Sequence, residues 1–155
     1  MIVIELPSEE ATDRLGAVLA ELLPPQAVIA LSGTLGAGKT RFVQALAAAA
    51  GVPREDVVSP TFVLCQQYEG RQRIYHLDAY RIRDDDEWFE LGVEEMFDTT
   101  AWVVIEWAER FAEWLPPKRV EIELSVTGPT SRRAEIRGPD ELIRALRATY
   151  EGDAT

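Results

Sequence analysis

A chain of 155 residues is about one domain long, enough for a single core and too short to join a phosphate-binding module to a separate catalytic domain. Its 16 Lys and Arg stand against 27 Asp and Glu, a net charge of −11, which argues against a chain that grips a nucleic-acid backbone tightly by itself. Cys65 is the only cysteine, so an intramolecular disulfide is impossible and an oxidising compartment is not indicated.

The first residues, MIVIELPSEEATDRL, lack a basic region ahead of their apolar positions, and no run approaches the roughly 18 apolar residues of a membrane span. The expectation is a cytosolic, soluble chain. Ile2 to Leu6 alternates as a strand, and Ser8 caps a helix whose Ala11, Leu15, Val18 and Leu22 fall on one face before Pro24-Pro25 stops it. Ala27 to Leu31 is a continuous apolar run, the mark of a strand buried on both faces, and it leads directly into a glycine loop. A helix from Lys39 to about Ala50 follows, closed by Gly51 and Pro53. Two strand-like runs between Phe62 and Tyr80 flank EGRQ and predict a hairpin. DDDEWFELGVEEMF is helical, with Asp84 to Asp86 at the positive end of its dipole. Trp102 to Glu106 is a second buried-type strand. Val120 to Val126 and Ala134 to Arg137 flank a Gly128-Pro129-Thr130 turn, and a last helix from Pro139 to Tyr150 buries Leu142, Ile143 and Leu146. Together these elements predict one domain over residues 1–155. Its fold class is α/β, a three-layer αβα sandwich of the phosphate-loop NTPase type on a mixed, partly antiparallel sheet.

The glycine loop reads Gly33-Thr34-Leu35-Gly36-Ala37-Gly38-Lys39-Thr40, the Walker A pattern. Glycines at its ends allow a tight turn and a close approach of backbone amides to phosphate oxygens. Lys39 then reaches the β and γ phosphates, Thr40 offers a hydroxyl to Mg²⁺, and the helix that begins there adds its N-terminal amides. Lys39 and Lys118 are the only lysines of the chain, so the loop holds one of two.

Such a loop needs an acid at the end of a neighbouring strand. Four apolar residues precede Glu106 in WVVIEW, which suits a buried strand delivering a carboxylate to the sheet edge, and in YHLDAYR strand periodicity sets His76 beside Asp78. The alternatives are that Glu106 caps the next helix, that Asp78 pairs with Arg81 or Arg83, and that His76 is a structural residue. SPTF, residues 59 to 62, has the character of a segment that senses a γ-phosphate through Thr61, or of a plain turn. The guanine-reading Asn-Lys-x-Asp is absent, and no acceptor signature marks a small-molecule kinase, although Arg81, Arg83, Asp85 and Glu87 could furnish a lid for one. An ATPase is the class that remains, with the kinase and a nucleotide-gated binding module as competitors.

In order along the chain, EATDRLG, SGTLGAGKT, SPTF, YHLDAYR, ELGVEE and VIEWAER resemble the bacterial TsaE family, the small ATPase subunit of the machinery that makes threonylcarbamoyladenosine at the anticodon-adjacent adenosine of tRNA. The resemblance implies that the loop residues Leu35, Gly36, Ala37, Gly38, Lys39 and Thr40 bind ATP, that Thr40 and Glu106 hold Mg²⁺, and that Asp78 is needed for hydrolysis. It matches Thr12 to a position near the nucleotide, Trp107 to an aromatic after the acid, and Arg132 or its neighbour Arg133 to a basic residue near the base. It also implies two partners, the carbamoyl-transferase subunit and its dimerising scaffold subunit, which would carry the basic, tRNA-holding surface. Thr34 departs from the family, whose members often carry Asp there.

Overall fold

Five consecutive buried residues, Trp102–Glu106, form a strand with no solvent side, and the sheet is assembled outward from it. The computed structural model of the chain describes residues 1–57 and 64–152. Its strands are β1 Ile2–Leu6, β2 Ala27–Gly33, β3 Cys65–Glu69, β4 Arg73–Asp78, β5 Trp102–Glu106, β6 Val120–Val126 and β7 Arg132–Arg137. Its helices are α1 Glu9–Leu22, α2 Lys39–Ala49, α3 Asp85–Glu90, α4 Val93–Phe97 and α5 Asp140–Gly152, with short 3₁₀ segments at Arg54–Asp56, Ala79–Arg81 and Ala108–Trp114.

The seven described strands form one sheet in the order β1-β7-β6-β2-β5-β4-β3. The middle four, β6, β2, β5 and β4, run parallel, while β1, β7 and β3 pair antiparallel at the two edges. Both predicted hairpins form, β3–β4 and β6–β7. On one face α1, α2 and α5 bury Leu15, Leu31, Phe42, Leu46 and Leu146 against the sheet. On the other, α3, α4 and the 3₁₀ segments at Ala79–Arg81 and Ala108–Trp114 bury Leu77, Trp88, Val103, Ile105 and Phe111, with Trp88 and Phe111 stacked at 4.8 Å. The α/β sandwich read from the sequence is therefore the fold, although its second helical layer is thin.

Two details differ from the sequence reading. The helical stretch after Asp84 is broken in two, because Gly92 takes a left-handed conformation (φ 73°) between α3 and α4. In α1 the buried residues are Thr12, Leu15, Gly16 and Leu19; of the stripe expected through Ala11, Leu15, Val18 and Leu22 only Leu15 is fully buried, and the other three are partly buried. The stripe is rotated because α1 packs on α2 as well as on the sheet. At Gly16 the two helices touch so closely that a Cβ would lie 2.6 Å from the Ala45 Cβ and 2.8 Å from the Leu46 amide nitrogen.

Gly16→Ala therefore sets two effects against each other. Alanine gains up to about 1 kcal/mol of helix propensity, but overpacking against backbone that cannot yield costs about 1–3 kcal/mol. The variant is expected to be less stable, seen as a lower urea midpoint at an unchanged m-value.

Candidate functional site

Because β2, β5 and β4 are parallel, their C-terminal ends share one sheet edge, where α/β proteins place their sites. The register pairs Leu31 with Glu106 and Asp78 with Glu106, so the loop leaving β2 and the two acids arrive together. They line a cleft of about 500 Å³ with Leu35, Gly36, Gly38, Lys39, Thr40 and Trp107.

The loop has the shape of an anion cradle. Gly36 (φ 81°) and Gly38 (φ 93°) are left-handed, a conformation that costs other residues energy. Gly38 precedes α2 and supplies no capping side chain, so the first amides of that helix are left to an anion. Lys39 donates to the carbonyl oxygens of Gly33 (2.6 Å) and Thr34 (3.0 Å), and its Nζ lies 4.3 Å from the centre of the Trp107 ring. Burial pushes its pKa below the usual lysine value, while Glu106, Glu109 and Asp78 pull the other way. Leu35 stands at the crest of the loop, 91% exposed.

Glu106 is 5% exposed, and its Oε2 lies 2.5 Å from Nε2 of the fully buried His76. Asp78 ends β4 and accepts the Tyr80 amide at 3.0 Å, with the Arg81 guanidinium 3.7 Å away. Burial raises the Asp78 pKa and the nearby Glu106 adds to it, against the Tyr80 amide, Arg81 and His76. The pairing with Arg81 that the sequence left open is thus present, and it coexists with a place in the cleft. Trp107 has a left-handed backbone (φ 60°), and its ring meets that of Tyr80 at 5.1 Å across the mouth of the cleft.

Three arginines hold these pieces in place, and sequence reasoning missed the work of each. Arg132 spends its guanidinium on backbone carbonyls: Nη2 on Gly36 (3.0 Å), Nε on Ala37 (3.2 Å), and Nη1 on Gly128 (3.0 Å) and Ser131 (2.7 Å). It staples the loop to the β6–β7 hairpin. Arg133 turns the other way and pairs with Glu5 at 2.7 Å, so of the two candidates only Arg132 reaches the loop. Arg41, next to Thr40, grips both oxygens of Asp13 at 3.0 and 2.8 Å and ties α2 to α1. Arg110 donates to the carbonyls of Ala79, Tyr80 and Ile82, fixing the turn that follows Asp78. Asp13 and Arg110 do lie inside EATDRLG and VIEWAER, the signal that could have found them. Thr12 is buried one turn before Gly16, the residue at which α1 meets α2, and is not among the cleft-lining residues. Thr61 lies outside the described residues.

A Mg²⁺ ion takes one or two carboxylates, phosphate oxygens and water in preference to an all-protein cage. The donor set fits that pattern: Thr40, Asp78 and Glu106 share the cleft, and the described residues hold no cluster of three or more His, Cys, Asp or Glu able to ligate a metal.

The profile of a family described as threonylcarbamoyl adenosine biosynthesis protein TsaE matches residues 6–134. The chain belongs to the TsaE family. It is 40% identical over 129 residues to the tRNA threonylcarbamoyladenosine biosynthesis protein TsaE of Treponema pallidum, covering 83% of this chain and 95% of that one. The TsaE protein of a Nostoc species is 40% identical over 154 residues, 96% of this chain and 93% of its own. That of Bacillus subtilis is 36% identical over 124 residues, covering 79% and 77%. In fold, the chain is similar to the crystal structure of Bacillus subtilis YdiB, with a TM-score of 0.76 and 24% identity over 98% of this chain and 95% of the other.

Two outcomes are expected of this TsaE site without any ligand. The Asp78 carboxyl titrates higher folded than unfolded, so it favours the folded state at low pH and disfavours it once ionised. Asp78→Asn should raise Tm at pH 7 in EDTA, and the gain should shrink as the pH is lowered toward 4. Arg132→Ala should accelerate amide hydrogen exchange at Gly36 to Gly38 relative to α2, because the loop loses its staple.

Proposed function

We propose that this TsaE-family chain is a Mg²⁺-dependent ATPase. It acts with partner subunits to form the threonylcarbamoyl group on adenosine 37 of tRNAs that read codons beginning with adenine. The observation that carries the reading is the convergence of Lys39, Thr40, Asp78 and Glu106 on one cleft, at the end of three parallel strands. The names of the relatives, all tRNA threonylcarbamoyladenosine biosynthesis proteins, support the pathway. The acidic surface and the lack of an acceptor motif support a chain that works through partners, with the basic surface on the carbamoyl-transferase subunit and its dimerising scaffold subunit. Hydrolysis would then reset the complex between rounds. No helix among the described residues is long and apolar enough to cross a membrane, and the cytoplasm, where tRNA is modified, is the compartment proposed.

In the proposed reaction the loop residues Leu35 to Thr40 wrap the phosphates, and Lys39 gives up its bonds to Gly33 and Thr34 for the β and γ oxygens. Thr40 and Glu106 would hold a Mg²⁺ ion, which would supply charge neutralisation to the phosphates. Asp78, raised in pKa and fixed by the Tyr80 amide, orients water. Arg132 acts on the nucleotide through the loop it staples, and Thr12 through the α1–α2 contact.

Phosphate release by the purified chain should be slow and should rise strongly when both partner subunits are added. Lys39→Ala should cut the stimulated rate roughly 100-fold or more, the scale of losing one charge-stabilising donor, and Glu106→Ala should abolish its Mg²⁺ dependence. A metabolite phosphorylated at a normal rate by the chain alone would favour a kinase instead, using Arg81 at the rim of the cleft.

A further inference from the structure

Behind the cleft, three polar side chains cross the sheet on one face. Tyr68 on β3, His76 on β4 and Glu106 on β5 are each 5% exposed or less. The register explains the line: Gln66 pairs with His76 and His76 with Val104, so Tyr68 and Glu106 each stand two residues along, on the same face and within diagonal reach. The Tyr68 hydroxyl lies 3.1 Å from His76 Nδ1, and His76 Nε2 lies 2.5 Å from Glu106 Oε2.

We infer that His76 is a positioning residue that aims the Glu106 carboxylate at Mg²⁺, with Tyr68 setting the orientation of its ring. The inference rests on the proposed reading of Glu106 as a metal ligand. Neutral imidazole has one donor and one acceptor nitrogen, and its partners decide which is which. A Glu106 carboxylate can only accept, so the proton of the neutral ring sits on Nε2 and donates to Oε2; Nδ1 then accepts from the Tyr68 hydroxyl at 3.1 Å, a shorter contact than that hydroxyl makes with Gln66 Oε1 at 3.3 Å. That leaves Oε1 for the cation.

A carboxylate at the end of a buried strand has several rotamers and a competing cation, since Lys39 lies close enough to feel its charge. A hydrogen bond from a ring packed in the core selects one rotamer before the ion arrives. Ligand orientation of this kind is what partners behind a metal site supply, and their loss costs about 10–100-fold in metal affinity. A histidine that merely fills the core would need no contact with the one acid on β5, and an apolar residue of similar size would serve as well.

The test is calorimetric titration of ADP into the full chain at a series of Mg²⁺ concentrations and in EDTA, for His76→Leu, His76→Gln, Tyr68→Phe and Glu106→Gln. His76→Leu should raise the Mg²⁺ concentration that half-restores tight binding by roughly tenfold or more, with affinity in EDTA unchanged. His76→Gln places an amide N–H near the position of Nε2 and should recover most of the loss. Tyr68→Phe should shift the requirement in the same direction by less. Four results would overturn the proposal: an unaltered Mg²⁺ requirement in His76→Leu, equal loss in the Leu and Gln variants, an equal loss in EDTA, or no shift in Tyr68→Phe. The last decides the matter if His76→Leu does not fold. If Glu106→Gln itself leaves the Mg²⁺ requirement unaltered, the assignment of Glu106 to the metal fails, and the role of His76 fails with it.

Discussion

A carboxylate that ends a strand buried on both faces is a charge taken out of water, and in this protein much of the surrounding structure answers it. Isolated, such a charge would cost several kcal/mol even after relaxation. Glu106 instead has His76 against one oxygen and the Lys39 ammonium within electrostatic reach. Those groups come with their own requirements. Lys39 must be partly desolvated to matter, so it sits on the Trp107 ring and on two loop carbonyls. Asp78, brought alongside by the parallel register, pays with a raised pKa. The cleft therefore concentrates opposing charges that are incompletely neutralised, the state in which a polyanion bearing a divalent cation is a complementary ligand.

The rigidity of the site comes from arginines that are bonded to the scaffold around the cleft. Arg132 gathers carbonyls from the loop and the β6–β7 hairpin, Arg110 gathers those of the turn after Asp78, and Arg41 joins the two helices that flank the loop. Carbonyls held by a guanidinium fix the peptide planes of the loop, and the Ala37 N–H is itself held by the Thr34 carbonyl at 3.0 Å. The cost of ordering a glycine-rich loop is met in part before a ligand binds.

Much of the site could be read along the chain because its pieces are local. A glycine loop between an apolar strand and an amphipathic helix is one contiguous segment, and so is the run of four apolar residues before Glu106. The hairpins were legible from turn residues between alternating runs. The break at Gly92 and the rotated stripe of α1 were not, because a glycine inside a helical pattern is tolerated as often as it interrupts, and a helix's buried face depends on how many neighbours it has. His76 was ambiguous for a similar reason: its partners are one strand away on either side, eight and thirty residues distant. Arg132 looked like a candidate for the nucleotide base, and its carbonyl partners 95 and 96 residues away could not be seen in the line of residues.

Local patterns by themselves determined an α/β domain, a glycine loop between strand and helix and two strand-end acids, because strand, loop and helix preferences are settled by residues within a few positions of one another. Membership of the TsaE family was already visible in six short ordered motifs and is shown by the family match. The tertiary structure alone decided that Asp78 and Glu106 stand side by side, that Tyr68, His76 and Glu106 form a line through the core, and that Arg132 rather than Arg133 meets the loop. Each of those facts depends on strand order and register, which join segments far apart in the chain and are fixed only when the whole sheet closes on its core.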